Sequence, residues 1–238
     1  MRPGTWFSEW PPAEDVPAFR GQGAQGRRCA LKVLAMMVLL IGLATAVGHL
    51  LGDSTGIDRS VSEWFVDRRT SNWNAVTRAF SKAADTLIVV TIGLLVFASG
   101  FVRKSRNGLI ILAVGMLGEV LMFLAMTALV SRPRPAVEQL DAAPPTSSFP
   151  SGHTFAAVVL WGCLAVVAHR SEWPRWVQRL LLALVVLIPL AVAISRLYRG
   201  MHHLTDVLAS IVLGCVWLCV TVRLFPLQTA SVRPESKP

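Results

Sequence analysis

Six stretches of this chain carry little or no charge: residues 33–52, 86–102, 108–131, 152–169, 180–195 and 207–222. A helix crosses a hydrocarbon core with roughly 17–25 apolar residues, so each run is about the length of one span. Inside lipid the backbone must satisfy its own hydrogen bonds, and an uninterrupted run of this length does so as a helix. The expected fold is all-α, an integral membrane bundle of six transmembrane helices. Two runs are short enough to borrow a turn from their flanks, and five or seven spans are the neighbouring counts. Of the 238 residues, 53% are hydrophobic and only 16% charged, a balance too apolar for an ordinary soluble domain.

The first run is long enough to span and longer than the core of a cleaved signal peptide, so it reads as a retained helix. A net charge of +9 on such a chain points to topology rather than to nucleic acid. Arg20, Arg27, Arg28 and Lys32 precede the first run. Arg103, Lys104 and Arg106 lie between the second and third, Arg170, Arg175 and Arg179 between the fourth and fifth, and Arg223 and Arg233 at or after the sixth. With six spans these segments share one side, which the positive-inside rule makes cytoplasmic, with both termini. The opposite loops also hold cations, mixed with Asp53, Asp58, Glu63, Asp67 and Asp85. Cys29, Cys163, Cys215 and Cys219 have no metal-ligand spacing, and no disulfide is expected.

One domain is expected over residues 31–225, between a disordered cytoplasmic tail at 1–30 and a second tail at 226–238. Trp6 and Trp10 would touch the interface. Residues 53–83 interleave Trp64, Phe65, Trp73 and Phe80 with polar residues. They suit a short amphipathic helix on the outer surface and an ordinary loop equally. The 132–150 loop is rich in Pro and Ser and contains Asp141.

Three polar stretches fall at ends of the apolar runs: Arg132-Pro133-Arg134-Pro135, Pro150-Ser151-Gly152-His153, and Ser195-Arg196 with His202 and Asp206. In the six-span topology all lie on one face, the extracytoplasmic one. The prolines end the third helix and fix the loop. Ser151-Gly152 at a helix start leaves N–H groups free to face an anion. His202 and Asp206 are four apart and project from one helical face, where a carboxylate can orient an imidazole. Histidines, arginines and a helix N-terminus can together hold a phosphate and break its ester bond.

These residues resemble the type 2 phosphatidic acid phosphatase (PAP2) superfamily. Its pattern is Lys, six residues, Arg-Pro; then Pro-Ser-Gly-His; then Ser-Arg, five residues, His, three residues, Asp. The second and third parts are complete here, and the resemblance covers residues 84–222. It implies a lipid phosphatase without cofactor or metal, working through a phosphohistidine at the extracytoplasmic face. His202 would attack phosphorus, with Asp206 orienting it. His153 would protonate the leaving oxygen and then activate water. Arg134, Arg196, the Ser151 hydroxyl and the Gly152 N–H would hold the phosphate oxygens. One part departs from the pattern. Thr127 stands where the family lysine falls when Arg134-Pro135 is the anchor, and Ala125 when Arg132-Pro133 is. Arg132 is expected to supply the missing charge, and Thr127 a hydroxyl.

Glu119, inside an apolar run, is expected to be a protonated structural carboxyl bonded to a neighbouring helix, with a substrate role as the alternative. Pro189 is expected to kink its helix. His203 points off the nucleophile's face, and Arg199 suits either a substrate contact or an anchor.

The expected partners are the bilayer and a lipid phosphate or diphosphate, with no nucleic acid. Polyprenyl diphosphate is favoured on the family resemblance, with phosphatidic acid and phosphatidylglycerol phosphate as alternatives. A catalytically silent lipid-binding protein, a vanadate-dependent oxidase and a transporter are the rivals. Intact His153, His202 and Asp206 argue against the first, six spans against the second, and Glu119 is thin support for the third.

Overall fold

A computed structural model describes residues 20–98, 106–169 and 174–225, which form eight helices and no strand. They are α1 (Arg20–Leu51), α2 (Gly56–Val66), α3 (Ser71–Ala83), α4 (Thr86–Ala98), α5 (Arg106–Leu129), α6 (Gly152–His169), α7 (Arg175–Tyr198) and α8 (Leu204–Leu224). Six of them correspond to the six apolar runs. Parts of α1, α5, α7 and α8 are long and apolar enough to cross a membrane, while α6 and the described part of α4 are shorter. At 18 residues, α6 is about 27 Å long, close to the hydrocarbon thickness.

The outward faces are what lipid requires. Leu34, Val38 and Leu43 of α1, Leu94 and Leu95 of α4, Leu187 and Leu190 of α7, and Val212 of α8 are exposed. Leucine rows on water would be an aggregation surface; against acyl chains they are matched. No described residue of α6 is exposed, because α4, α5, α7 and α8 surround it. Close approach holds α5 to α8: a Cβ on Gly118 would lie 2.2 Å from the Trp217 ring, and Trp217 Nε1 donates to the Gly115 carbonyl at 2.9 Å.

Three boundaries differ from expectation. α1 begins at Arg20, so residues 20–30 are helix rather than tail. α7 runs beyond 180–195 at both ends, since polar Arg175, Gln178 and Arg179 are compatible with helix once the apolar centre nucleates it; Pro189 lies inside it without ending it. The 53–83 segment is two helices, not one helix or a loop. Thr55 caps α2, accepting from Asp58 N–H at 3.1 Å while Asp58 Oδ2 accepts from Thr55 N–H at 3.1 Å. Thr70 caps α3 through Trp73 N–H at 3.3 Å.

Both short helices pack on α7, and α2 also touches α8. Their polarity is inverted relative to a soluble surface helix. They bury Asp58, Ser62, Thr77 and Ser81 and expose Ile57, Trp64 and Trp73. The expectations for residues 1–19, for Arg103, Lys104 and Arg170, and for the tail after 225 lie outside the described residues.

Candidate active site

A cavity of about 890 Å³ opens at the end of the bundle where α2, α3 and the 130–151 loop sit. Arg134, His153, Arg196 and His202 line its polar end with Asp85 and Asp141. Below them it continues between α4 and α5 as an apolar groove, walled by residues such as Val90, Leu94, Met116 and Leu117. α4 packs on α6 and α3 rather than on α5. The groove therefore opens sideways, and Leu94 and Leu117 at its edge are exposed.

The turn between α7 and α8 delivers two of these side chains. α7 ends in a Schellman motif: Gly200 N–H donates to Leu197 O at 3.0 Å and Met201 N–H to Arg196 O at 3.0 Å. Gly200 has φ 69°, and a Cβ there would also meet the Glu138 carbonyl at 2.8 Å, so only glycine serves. The reversal brings His202 back beside Arg196.

His202 is buried, and its Nδ1 lies 2.7 Å from the Ser148 carbonyl. A carbonyl only accepts, so Nδ1 carries the proton and Nε2 keeps its lone pair. Burial, aided by the positive charge of Arg196 and Arg134, outweighs Asp206 and pushes His202 down to about 4. The ring is thus neutral at physiological pH, with a lone pair free on Nε2. Asp206 was expected to orient it directly. It lies 3.8 Å from Nδ1 and acts as a nearby charge, because Nδ1–H donates to the Ser148 carbonyl.

His153 lies in the first turn of α6, with Nε2 2.9 Å from Asp85 Oδ1. A carboxylate only accepts, so Nε2 carries a proton and Asp85 fixes the ring's orientation. Arg196 donates to Ser81 Oγ at 2.5 Å and Asp141 Oδ2 at 3.1 Å, yet its buried Nε has no partner. Arg134 donates to the Met201 carbonyl at 2.7 Å, and its buried Nε is also unpaired. Burial pulls Arg134 below its ordinary value, against the charge of Asp206. Both guanidinium groups line one cavity and neither is fully paired within the protein, which leaves positive charge there for an anion to match.

Arg132 does not join them. One end donates to Asp58 Oδ2 at 2.9 Å; the other donates to Thr205 Oγ1 at 2.8 Å and pairs with Asp206, and Nε donates to the Gly52 carbonyl at 2.9 Å. Every donor group is spent inside the protein, so compensation for the missing lysine by Arg132 is not what the geometry supports. Thr127 also lies outside the cavity lining, its hydroxyl donating to Phe123 O at 3.0 Å and Leu124 O at 3.1 Å. The Ser151 hydroxyl is fully buried and shared with Thr154 Oγ1 at 3.0 Å, which turns it away from the cavity, while Gly152 does line it. His203 faces the Pro133 carbonyl at 3.2 Å. Glu119 lines the apolar groove and has no hydrogen-bond partner among the described residues, contrary to the expected bond across helices.

Sequence reasoning missed four groups. Asp85 holds His153, and the Ser148 carbonyl holds His202. Asp141 bridges Arg196 to Arg199, which grips it at 2.5 and 2.6 Å. Asp58 anchors Arg132 and accepts from Thr205 N–H at 3.0 Å. Burial opposes its charge, but the hydrogen bonds from Thr205 and Thr55 prevail and hold it at about 2. Arg199 is an anchor, since it also donates to Asn74 and Leu140 carbonyls at 3.2 and 2.8 Å. Asp85 reads as one of the mixed loop charges before an apolar run; pairing it with a histidine 68 residues on has no local signature.

This is a membrane bundle with two histidines and two incompletely paired arginines at one end of an apolar groove, a set of groups that suits an anionic headgroup. Residues 108–230 match the PAP2 superfamily, and the chain belongs to it. Members of that superfamily are phosphatases. Two solved structures share the fold. One is the transmembrane PAP2-type phosphatidylglycerolphosphate phosphatase of Bacillus subtilis, with TM-score 0.67 and 23% identity over 79% of this chain and 92% of that one. The other is LpxE of Aquifex aeolicus, with TM-score 0.58 and 18% identity over 72% of this chain and 98% of that one. No curated protein sequence matches this chain.

Proposed function

We propose that the chain hydrolyses a lipid phosphate or diphosphate at the extracytoplasmic membrane surface through a phosphohistidine, without a metal. The observation that carries this reading is His202, with its proton on Nδ1, lining the same cavity as the incompletely paired guanidinium groups of Arg134 and Arg196. In the first step the Nε2 lone pair forms a bond to phosphorus, the ester P–O bond breaks, and imidazolium His153 hands its proton to the leaving oxygen. In the second, neutral His153 takes a proton from water, the hydroxide oxygen bonds to phosphorus, and the P–N electron pair returns to His202. Arg134 and Arg196 meet the charge that grows on the equatorial oxygens, with the first turn of α6 at Gly152 beside them. The knot of Arg132, Asp58 and Asp206 holds the start of α8 and thereby His202.

The lipid tail would lie in the groove between α4 and α5 and leave sideways into the bilayer. Polyprenyl diphosphate, phosphatidic acid and phosphatidylglycerol phosphate all present a terminal phosphoryl group. The charge bias supports cytoplasmic termini and a site on the opposite face, and α1 begins and α8 ends at the far end from the cavity. The test is phosphate release by the purified protein from these three lipids, beside His202→Ala. Release that EDTA leaves intact, that vanadate inhibits and that the variant lacks is the expected result. Release by His202→Ala, or abolition by EDTA, would overturn the mechanism.

A further inference from the structure

Glu119 is the polar side chain that the phosphate chemistry leaves unused. It is 3% exposed, lies in the α5 stripe Leu112, Met116, Glu119 and Phe123, and faces the groove with no partner among the described residues. A carboxyl in apolar surroundings costs free energy until something hydrogen-bonds it. Gly93 of α4 also lines this groove, and a side chain there would meet nothing within 4 Å, so the space is open.

Its depth is informative. The Phe123 ring lies against Gly152, where an added Cβ would be 2.8 Å from it, and Gly152 adjoins His153. Glu119 is one turn further along α5, about 6 Å below Phe123. Counting from Arg132 makes it seem far from the site, because α5 continues past the level at which α6 begins.

We infer that Glu119 forms a polar subsite in the tail groove that hydrogen-bonds an ester or hydroxyl oxygen a few bonds below the substrate's phosphate, and so selects acylglycerol phosphates over polyprenyl phosphates. An acylglycerol phosphate carries ester oxygens at that depth. A polyprenyl monophosphate offers only carbon there and leaves the carboxyl unsatisfied, which is the stronger penalty. The subsite rests on the proposed function for its placement of the phosphate.

Binding separates this inference from catalysis. In the His202→Ala background, which does not turn over, equilibrium binding of dioleoyl phosphatidic acid and of undecaprenyl phosphate is measured in detergent micelles. Adding Glu119→Leu is expected to weaken phosphatidic acid about tenfold and leave undecaprenyl phosphate unchanged or tighter. Adding Glu119→Gln, which keeps a hydrogen-bonding group of the same shape, is expected to hold phosphatidic acid within about threefold. Equal shifts for both lipids, or none for either, would overturn the subsite. Failure of the unmutated protein to release phosphate from any lipid would overturn the phosphatase reading instead, and the binding contrast would still decide the role of Glu119.

Discussion

Arg132 and Arg134 are separated by one proline and live in opposite circumstances. Arg132 is enclosed by Asp58, Asp206, Thr205 and the Gly52 carbonyl, with 1% of its side chain exposed. Arg134 lines the cavity beside Arg196, and each keeps a buried Nε without an acceptor. The first cluster is closed, its charge matched by two carboxylates. The second is open and short of negative charge. A guanidinium that the protein satisfies fully is a strut, whereas one left wanting an acceptor is half of a binding site. The difference sorts the mutations by what they should break.

The largest effect should come from the open cluster. His202→Ala is expected to lower kcat by about 10⁴-fold or more, as removal of a nucleophile does, while thermal unfolding in detergent stays within a few degrees. A large loss of stability would place His202 with the closed cluster. Arg196→Ala should lower kcat/KM by about 10²–10³-fold, the usual cost of losing one group that meets transition-state charge. Asp141 remains held by Arg199 in that variant, so folding should survive.

Arg132 should behave the other way. Arg132→Met leaves Asp58 and Asp206 buried without their counter-charge, and about 3–5 kcal/mol of stability is expected to go. Chemical or thermal unfolding measures it. The double change Arg132→Met with Asp58→Asn should recover part of that loss, because one of the stranded carboxylates goes with it. If Arg132→Met unfolds like the parent but loses phosphate affinity, Arg132 belongs to the open cluster after all.

These two arginines also show where sequence reading stops. Six spans, both complete motifs and the end of the bundle that carries them were legible, because hydrophobic runs and the helix starts at Gly152 and Leu204 are local signals. The division of labour within Arg-Pro-Arg-Pro was not. Asp58, which claims Arg132, lies 74 residues earlier in a segment that suited a loop as well as a helix. Ser148, which claims the proton of His202, does so with a backbone carbonyl that any residue would supply. Asp85 and Asp141 resembled ordinary loop charges until folding set them against His153 and Arg196.

The open cluster has a pH signature. His202 is held at about 4, below the ordinary 6.5, by burial and the adjoining arginines. A depressed value means the neutral nucleophile persists as pH falls, until protonation removes it near 4. The acid limb of kcat/KM, which reports free enzyme, is therefore expected near 4 where His202 sets it. Removing Arg134 takes away one neighbouring positive charge, so the limb should move upward in Arg134→Gln. A limb that stays fixed would mean that arginine charge does not reach the ring.

The smallest effect tests whether the open cluster is short of charge as drawn. Thr127 stands where the family pattern has lysine, and its hydroxyl is spent on α5's own carbonyls. Yet position 127 follows Phe123 and Glu119 by four and eight residues, so it shares the helical face that lines the cavity. A lysine there has the length to bring an ammonium toward Arg134 and Gly152. If the two unpaired guanidinium groups leave phosphate charge incompletely matched, Thr127→Lys should raise kcat/KM severalfold, about 3–10-fold for one added charged contact. If Arg134 and Arg196 already balance the phosphate, a third cation repels them, lowers affinity for the anion only through misplacement, and makes the enzyme slower. Measuring kcat and KM separately at low and high salt divides the cases. A gain confined to KM and lost with salt is simple attraction, whereas a gain in kcat marks a cation that meets the transition state.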